Sequence, residues 1–239
     1  MNLVLFNENE INKLLPRKDS RATHVMDILK LTPGQLFKAG IINGVQGNGW
    51  IHKIHDQGLE LEFAFEDDVR PETRPLPITL VCAFTRPQIA KRVLRDATSL
   101  GVERMVFFSA QLGEKSYKKA SLWEKAEYEA HLLQGAEQVY TTFIPEIELC
   151  HSLEKALELV NSCQVIVMEK TPEAVALEKM LIGKKPTALV FGPERGWTEQ
   201  ELKQLAEAKL PMAHLGSRIL RTEVAVLGAV FLLRSVMGL

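Results

Sequence analysis

Between residues 187 and 221 the chain reads TALVFGPERGWTEQELKQLAEAKLPMAHLGSRILR, an order that few folds satisfy. Thr187–Phe191 is an apolar run without alternation, which suits a strand buried on both faces of a parallel sheet. The run breaks at Gly192-Pro193 into a tight loop. Thr198-Glu199-Gln200-Glu201 then has the capping-box form, in which Thr198 caps a helix and Glu201 reaches back to it. After a turn at 209–211, a second short run (212–215) breaks at Gly216-Ser217-Arg218. Two strands thus end in glycine loops, and each loop opens a helix. Ligands of open α/β sheets sit at the carboxyl ends of strands, where glycine lets backbone groups approach closely. These two loops are the predicted binding site.

The same alternation runs back to Pro77. Strands are predicted at 78–84, 105–110, 146–149, 165–168, 188–191 and 212–215. Helices are predicted at 88–100, with Ile89, Val93, Leu94 and Ala97 inward, and at 121–140. The pattern predicts an α/β domain with a mainly parallel sheet. Before it, DDVRPETRPL at 67–76 is charged, proline-bearing and aperiodic, which reads as a linker. Residues 1–72 and 73–239 are therefore the expected domains. The first is β-rich: 36–42 and 50–54 flank 43–49, whose Asn48-Gly49 pair is a hairpin signal. Asp56-Gln57-Gly58 turns into 59–65, where apolar and acidic residues alternate. Residues 21–31 read as one short helix with Val25, Ile28 and Leu29 on a single face. The glycines at 44, 47 and 49 lack a Lys-Ser/Thr ending and a following helix, so hairpin turns explain them better than a phosphate loop.

Net charge is −1 over 239 residues, so a nucleic-acid partner requires a local basic face. The cluster Arg17, Lys18 and Arg21 is either a solvated face or such a contact. Cys82, Cys150 and Cys163 are scattered without C-x-x-C spacing, and the six histidines show no ligand spacing. No metal is expected, and the compartment is expected to be reducing. The first residues lack a signal-peptide pattern, and no uncharged run reaches membrane-span length. A cytoplasmic protein without a membrane segment is predicted. The last helix, Thr222–Met237, is apolar nearly all round. Leu227, Val230, Phe231 and Leu233 must face a core or a second subunit.

No G-x-S-x-G, H-E-x-x-H, Walker lysine or strand-following G-x-G-x-x-G occurs. Polar groups do gather at the two loops: Glu194, Arg195, Ser217, Arg218, Arg221, Thr222 and Glu223. Thr222 and Glu223 have a structural use as helix cap and first-turn acid, and the arginines have one as ion-pair partners. The alternative is a site for an anionic or polar ligand.

FGPERGWTEQEL followed by LGSRILRTEVA resembles the paired signature of the RsmE family of SPOUT methyltransferases, G-P-E-G-G-[FW]-[ST]-x-x-E and L-G-x-R-I-L-R-x-E-T-A. ATSLGV at 97–102 is similar to the family's K-A-T-E-L-G-V. QLGEKSYKK at 111–119 stands at its basic S-E-R-S loop, and GAEQ at 135–138 with Ile144-Pro145 resembles A-x-E-Q…V-P. HVMDILKL at 24–31 is similar to H-x-x-x-V-L-R-L of a PUA-like RNA-binding barrel. The likeness covers nearly the whole chain.

The resemblance implies a PUA-like β-barrel followed by a trefoil-knotted SPOUT α/β domain, and a homodimer with sites near the subunit interface. It implies S-adenosyl-L-methionine as cofactor and N3 of a uridine in 16S ribosomal RNA as target. Carried over by position, cofactor contacts fall to Met168, Glu169, Phe191, Gly192, Pro193, Glu194, Gly196, Leu215, Gly216, Ile219, Leu220 and Thr222. Arg218, Arg221 and Glu223 are the expected catalytic residues. Arg17, Lys18, Arg21, Lys30, Lys115, Lys118, Lys119 and Arg195 are the expected RNA contacts, on the free RNA or the small subunit. Three positions depart from the pattern: Arg195 replaces a glycine, Val224 a hydroxyl, and Lys30 an arginine. These leave two alternatives, a paralogue that binds RNA without methylating it and a SPOUT enzyme for another RNA.

Overall fold

A computed structural model describes residues 3–66, 74–183 and 185–238. The chain divides into two compact units. One comprises Met1–Arg74 with Leu133–Ile144, the other Pro75–Leu132 with Pro145–Leu239. Most of the expected linker, 67–73, lies outside the described residues.

The first unit is a curled five-stranded sheet of β1 (Val4–Phe6), β2 (Leu15–Pro16), β3 (Leu36–Ile41), β4 (Gln46–His55) and β5 (Gly58–Phe65), in the order β1-β3-β4-β5-β2. Along β5 the period of two puts Leu59 and Leu61 into a core with Phe6, Val25, Phe37 and Ile51, while Glu60 and Glu62 face out. Residues 133–144 cover the other side of β1, where Leu3, Leu5 and Ala136 form a second small core. Backbone and side-chain hydrogen bonds fasten this segment: Asn43 N–H to Thr142 O at 2.8 Å, Gln46 Nε2 to Tyr140 O at 2.7 Å, and Thr142 Oγ1 to Gly44 O at 2.6 Å.

Two sequence expectations fail here. Asn48-Gly49 is not a turn but lies inside β4, paired with Lys38 and Phe37; the chain reverses at 42–45, with Asn43 at φ 56°. The β4 glycines serve close packing instead. A Cβ on Gly47 would collide with the carbonyl oxygen of Ala64, and one on Gly49 would lie 2.7 Å from the Phe37 ring. The single helix over 21–31 is a four-residue turn, α1 (Ser20–Thr23), running into a π-helical stretch at His24–Ile28. The wider π turn breaks the 3.6 phase, so Val25 is buried while Ile28 is 66% exposed.

The second unit is a seven-stranded parallel sheet. Its strands are β6 (Leu76–Ala83), β7 (Val102–Phe108), β8 (Glu146–Cys150), β9 (Gln164–Met168), β10 (Val175–Ala176), β11 (Thr187–Phe191) and β12 (Met212–His214). Their order is β10-β12-β9-β11-β6-β7-β8. Every residue of β11 is buried, as its unbroken apolar run requires. Helix α2 (Pro87–Ser99) buries Ala90, Val93, Leu94 and Ala97. The long helix expected over 121–140 is broken into α4 (Ser121–Glu124) and α5 (Tyr128–Gln138), with Ala126 left-handed at φ 53° between them. Burial of Leu122 and Trp123 in the turn of α4 turns the chain there; Trp123 packs 4.6 Å from Phe107 between ring centroids. The remaining helices are α3 (Lys115–Lys118), α6 (Leu153–Leu159), α7 (Glu199–Glu207) and α8 (Thr222–Met237). Cys82 is fully buried in β6, and burial pushes its thiol pKa up to about 12. Among the described residues no helix is long and apolar enough to cross a membrane.

Candidate active site

Register brings four strand ends level. Phe191 of β11 pairs with Cys82 of β6 and with Met168 of β9, and Met168 pairs with Ala213 of β12. The loops leaving those ends meet at a two-lobed cleft. One lobe, of about 630 Å³, is lined by Arg86, Ile89, Met168, Glu169, Phe191, Gly192, Pro193, Glu194, Leu220, Arg221, Thr222, Glu223 and Ala225. The other, of about 560 Å³, is walled by Met168, Glu169, Phe191, Ala225 and 213–220 apart from Ser217, with Lys170 at its edge. Both volumes fall in the ordinary range of small-molecule sites.

Local sequence explains the loop shapes. Thr198 Oγ1 accepts the Glu201 N–H at 3.1 Å and Glu201 Oε2 accepts the Thr198 N–H at 2.9 Å, the capping box expected from TEQE. Gly192 is required sterically, since a Cβ there would lie 2.7 Å from the Trp197 ring, which itself stacks on Phe108. The 193–196 turn closes with Gly196 N–H on Pro193 O at 2.9 Å, and Gly196 takes φ +77°. Gly216, at φ +97°, donates to His214 Nδ1 at 3.0 Å.

The catalytic candidates Arg221 and Glu223 line the first lobe, and Arg218 lines the second. Eleven of the twelve cofactor candidates line one lobe or both; Gly196 shapes the turn behind them. Glu223 is buried at the first turn of α8, its Oε1 3.3 Å from Arg92 Nη1. Glu194 accepts from Thr85 Oγ1 at 2.8 Å and lies 3.5 Å from Arg86 Nε. Among the described residues, Arg218 and Arg221 make no ion pair and are exposed, so neither arginine is consumed in holding the loops. Lys170 Nζ ties the β9 end to Ser217 O at 2.7 Å.

Arg195 is exposed and outside both lobes. It keeps a negative φ, so the loop accepts a side chain where the family pattern has glycine. Val224 is 49% exposed on α8. Lys115, Lys118 and Lys119 are exposed on and beside α3, and Arg17, Lys18 and Lys30 are exposed in the first unit. Arg21 departs from expectation. Its guanidinium donates to Leu5 O, to both carboxylate oxygens of Glu10 and to both of Asp19, and it lies 4.9 Å over the Phe6 ring. With all five donors engaged internally it has none for a phosphate. This pairing lowers the Glu10 pKa from its ordinary 4.5 to about 2 and depresses that of Asp19.

Sequence reading missed Thr85, Arg86, Ile89, Lys170 and His214. Only Arg86 left a signal: it stands between the end of β6 and Pro87, the first residue of α2. Among the described residues no group of three or more His, Cys, Asp or Glu side chains is placed to hold a metal.

Fold and cleft together define a parallel α/β protein with a cleft at its strand ends, and residues 72–234 match the RNA methyltransferase domain family. Over 238 residues the chain is 32% identical to ribosomal RNA small subunit methyltransferase E of Treponema pallidum, covering 96% of this chain and 89% of that one. Over 232 residues it is 29% identical to ribosomal RNA small subunit methyltransferase E 1 of Borreliella burgdorferi, at 96% and 95% coverage. The chain belongs to the ribosomal RNA small subunit methyltransferase E family. Its fold superposes with TM-score 0.83 on the Neisseria gonorrhoeae member solved with S-adenosyl methionine, at 22% identity over 98% of this chain and 97% of that one. It superposes with TM-score 0.85 on a probable rRNA-methyltransferase from Porphyromonas gingivalis, at 16% identity over 100% and 99%. At these identities the structural likeness speaks to fold alone.

Proposed function

We propose that this protein methylates N3 of a uridine in 16S ribosomal RNA, with S-adenosyl-L-methionine as methyl donor. The observation that carries the reading is the meeting of four strand-end loops at one cleft with Arg221 and Glu223 on its wall, in a chain of this family. The second lobe fits the cofactor: Met168, Phe191, Leu215, Ile219, Leu220 and Ala225 offer apolar wall, and the glycine loops bring backbone groups alongside. When bound, the sulfonium supplies an already activated methyl group, so the protein's task is alignment and removal of one proton.

That proton is on uracil N3, and its loss spreads negative charge onto the flanking carbonyl oxygens. Arg221, which lines the first lobe and makes no ion pair among the described residues, donates to such a carbonyl as charge develops. Glu223, or a water it orients, accepts the N3 proton; Arg92 fixes its carboxylate from behind. Held by the 192–194 and 215–220 loops, the bound donor would supply its methyl to N3 and would leave as S-adenosylhomocysteine, the sulfur keeping the electron pair of the broken bond. Arg17, Lys18 and Lys30 in the first unit, with Lys115, Lys118, Lys119 and Arg195, supply phosphate contacts. The active form is a homodimer in the cytoplasm, and the knotted path belongs to the second unit.

Calorimetry with S-adenosylmethionine, tritiated methyl transfer to small-subunit RNA and mass mapping of the product test this reading in order. Binding followed by transfer to a uridine N3 supports it. Binding without transfer favours the RNA-binding paralogue, and another methylated base assigns another target.

A further inference from the structure

Residues 111–119 carry three lysines, yet none of the nine is buried, and α3 within them buries no side chain. A segment with so little apolar anchoring belongs to the low-stability end of a fold. Among the described residues, its hydrogen bonds to other parts of the second unit run to two places, and both lead to the loop that walls the cleft.

At one end, Gln111 gives its backbone N–H to Glu201 Oε1 at 2.9 Å. Its side-chain oxygen accepts the Thr198 hydroxyl at 2.8 Å, and its amide reaches Gln200 Oε1 at 3.1 Å. Glu201 is only 2% exposed and already closes the capping box, so one buried carboxylate fixes both the start of α7 and the start of the basic segment. Towards the other end, Arg86 Nε donates to the Tyr117 hydroxyl at 3.2 Å and lies 3.5 Å from Glu194 Oε2. Thr85 holds the remaining oxygen of Glu194 at 2.8 Å. Gly192, Pro193 and Glu194 line the cleft directly.

We infer that Glu194 and Glu201 couple the cofactor loop to the basic segment, so that filling the cleft and binding RNA strengthen each other. The inference rests on the proposed assignment of cofactor and RNA. A ligand seated against 192–194 restricts that loop, and both carboxylates then restrict 111–119, which RNA no longer has to order at its own entropic cost. Linkage makes the effect reciprocal: whatever factor the cofactor adds to RNA affinity, RNA adds to cofactor affinity.

The test measures the dissociation constant of full-length protein for small-subunit ribosomal RNA with and without saturating S-adenosylhomocysteine, which binds without turnover. Wild type is expected to bind RNA about 5- to 10-fold more tightly when the homocysteine compound is present. Tyr117→Phe removes only the hydroxyl that Arg86 contacts, and Glu201→Gln weakens the grip on Gln111. Each is expected to bring the ratio towards one while calorimetric affinity for S-adenosylhomocysteine alone stays within about twofold, a split that general destabilisation does not produce. Should Glu201→Gln fail to fold, Tyr117→Phe carries the test by itself. Equal RNA affinity in both conditions for wild type, or an undiminished ratio in Tyr117→Phe, overturns the coupling. Failure of wild type to bind S-adenosylhomocysteine without RNA overturns the cofactor assignment, and the coupling with it.

Discussion

Arg221 lines the first lobe, exposed, beside the Leu220 that both lobes share. Two carboxylates that share its lobe are engaged elsewhere, Glu223 with Arg92 and Glu194 with Thr85 and Arg86. Arg221→Ala should therefore leave calorimetric cofactor affinity nearly unchanged and slow methyl transfer by roughly 100- to 1,000-fold, the usual cost of losing one donor to a developing anion. A defect rescued by saturating cofactor would assign Arg221 to binding instead. At Gly192 the constraint is steric. Gly192→Val drives its side chain into the Trp197 ring, so cofactor affinity should fall at least about tenfold, with a stability loss of about 1–3 kcal/mol, while the protein still folds. Native affinity in that variant would count against the loop as a cofactor wall. Arg21 acts on stability. Arg21→Met leaves Glu10 and Asp19 facing each other without their cation and should cost about 1–3 kcal/mol in urea unfolding at neutral pH, the part-exposed pairs holding it below the fully buried case. Because the folded-state pKa of Glu10 is depressed to about 2, the pairing contributes fully above its ordinary 4.5 and is lost as pH falls from there towards 2. Wild type should lose stability across that window more steeply than Arg21→Met.

Helix α8 shows what a sequence reveals about an element and what it withholds. Its apolar circumference was legible, but which residues face inward was not. Val226, Ala229, Val230 and Leu233 are buried, while Val224 and Phe231 stand 49% and 66% exposed on a face this chain leaves uncovered. A charged Phe231→Glu on that face should turn the proposed dimer into a monomer by light scattering at micromolar concentration, with helicity intact. A wild-type monomer under the same conditions would sink the dimer. The span 187–221 was readable because its signals are local: an unbroken apolar strand, a capping box and glycines beside a ring or at positive φ. Arg86 was not, since strand register brings it to the cleft from more than a hundred residues before Glu194. The break between α4 and α5 has no glycine or proline to announce it, because burial of Leu122 and Trp123 decides it. Asn48-Gly49 announces a turn that pairing with β3 overrules.

The whole molecule crosses between its units more than once. Residues 133–144 leave the second unit, cover Leu3 and Leu5, and hold the turn at 42–45 by three hydrogen bonds before the chain resumes at β8. Residues 1–74 produced alone lack that cover and should show no cooperative thermal transition. The same fragment mixed with a peptide of residues 133–144 should regain one, and a sharp transition without the peptide would show the segment to be dispensable. This shared ownership of the chain also bears on descent. An ancestor could not have acquired the amino-terminal unit by one clean fusion at residue 74 and kept its present core, because part of that core is encoded inside the other unit. Any exchange of the unit between relatives must therefore carry two separated stretches of gene, or be followed by repair of the second, and the two halves are bound to change together.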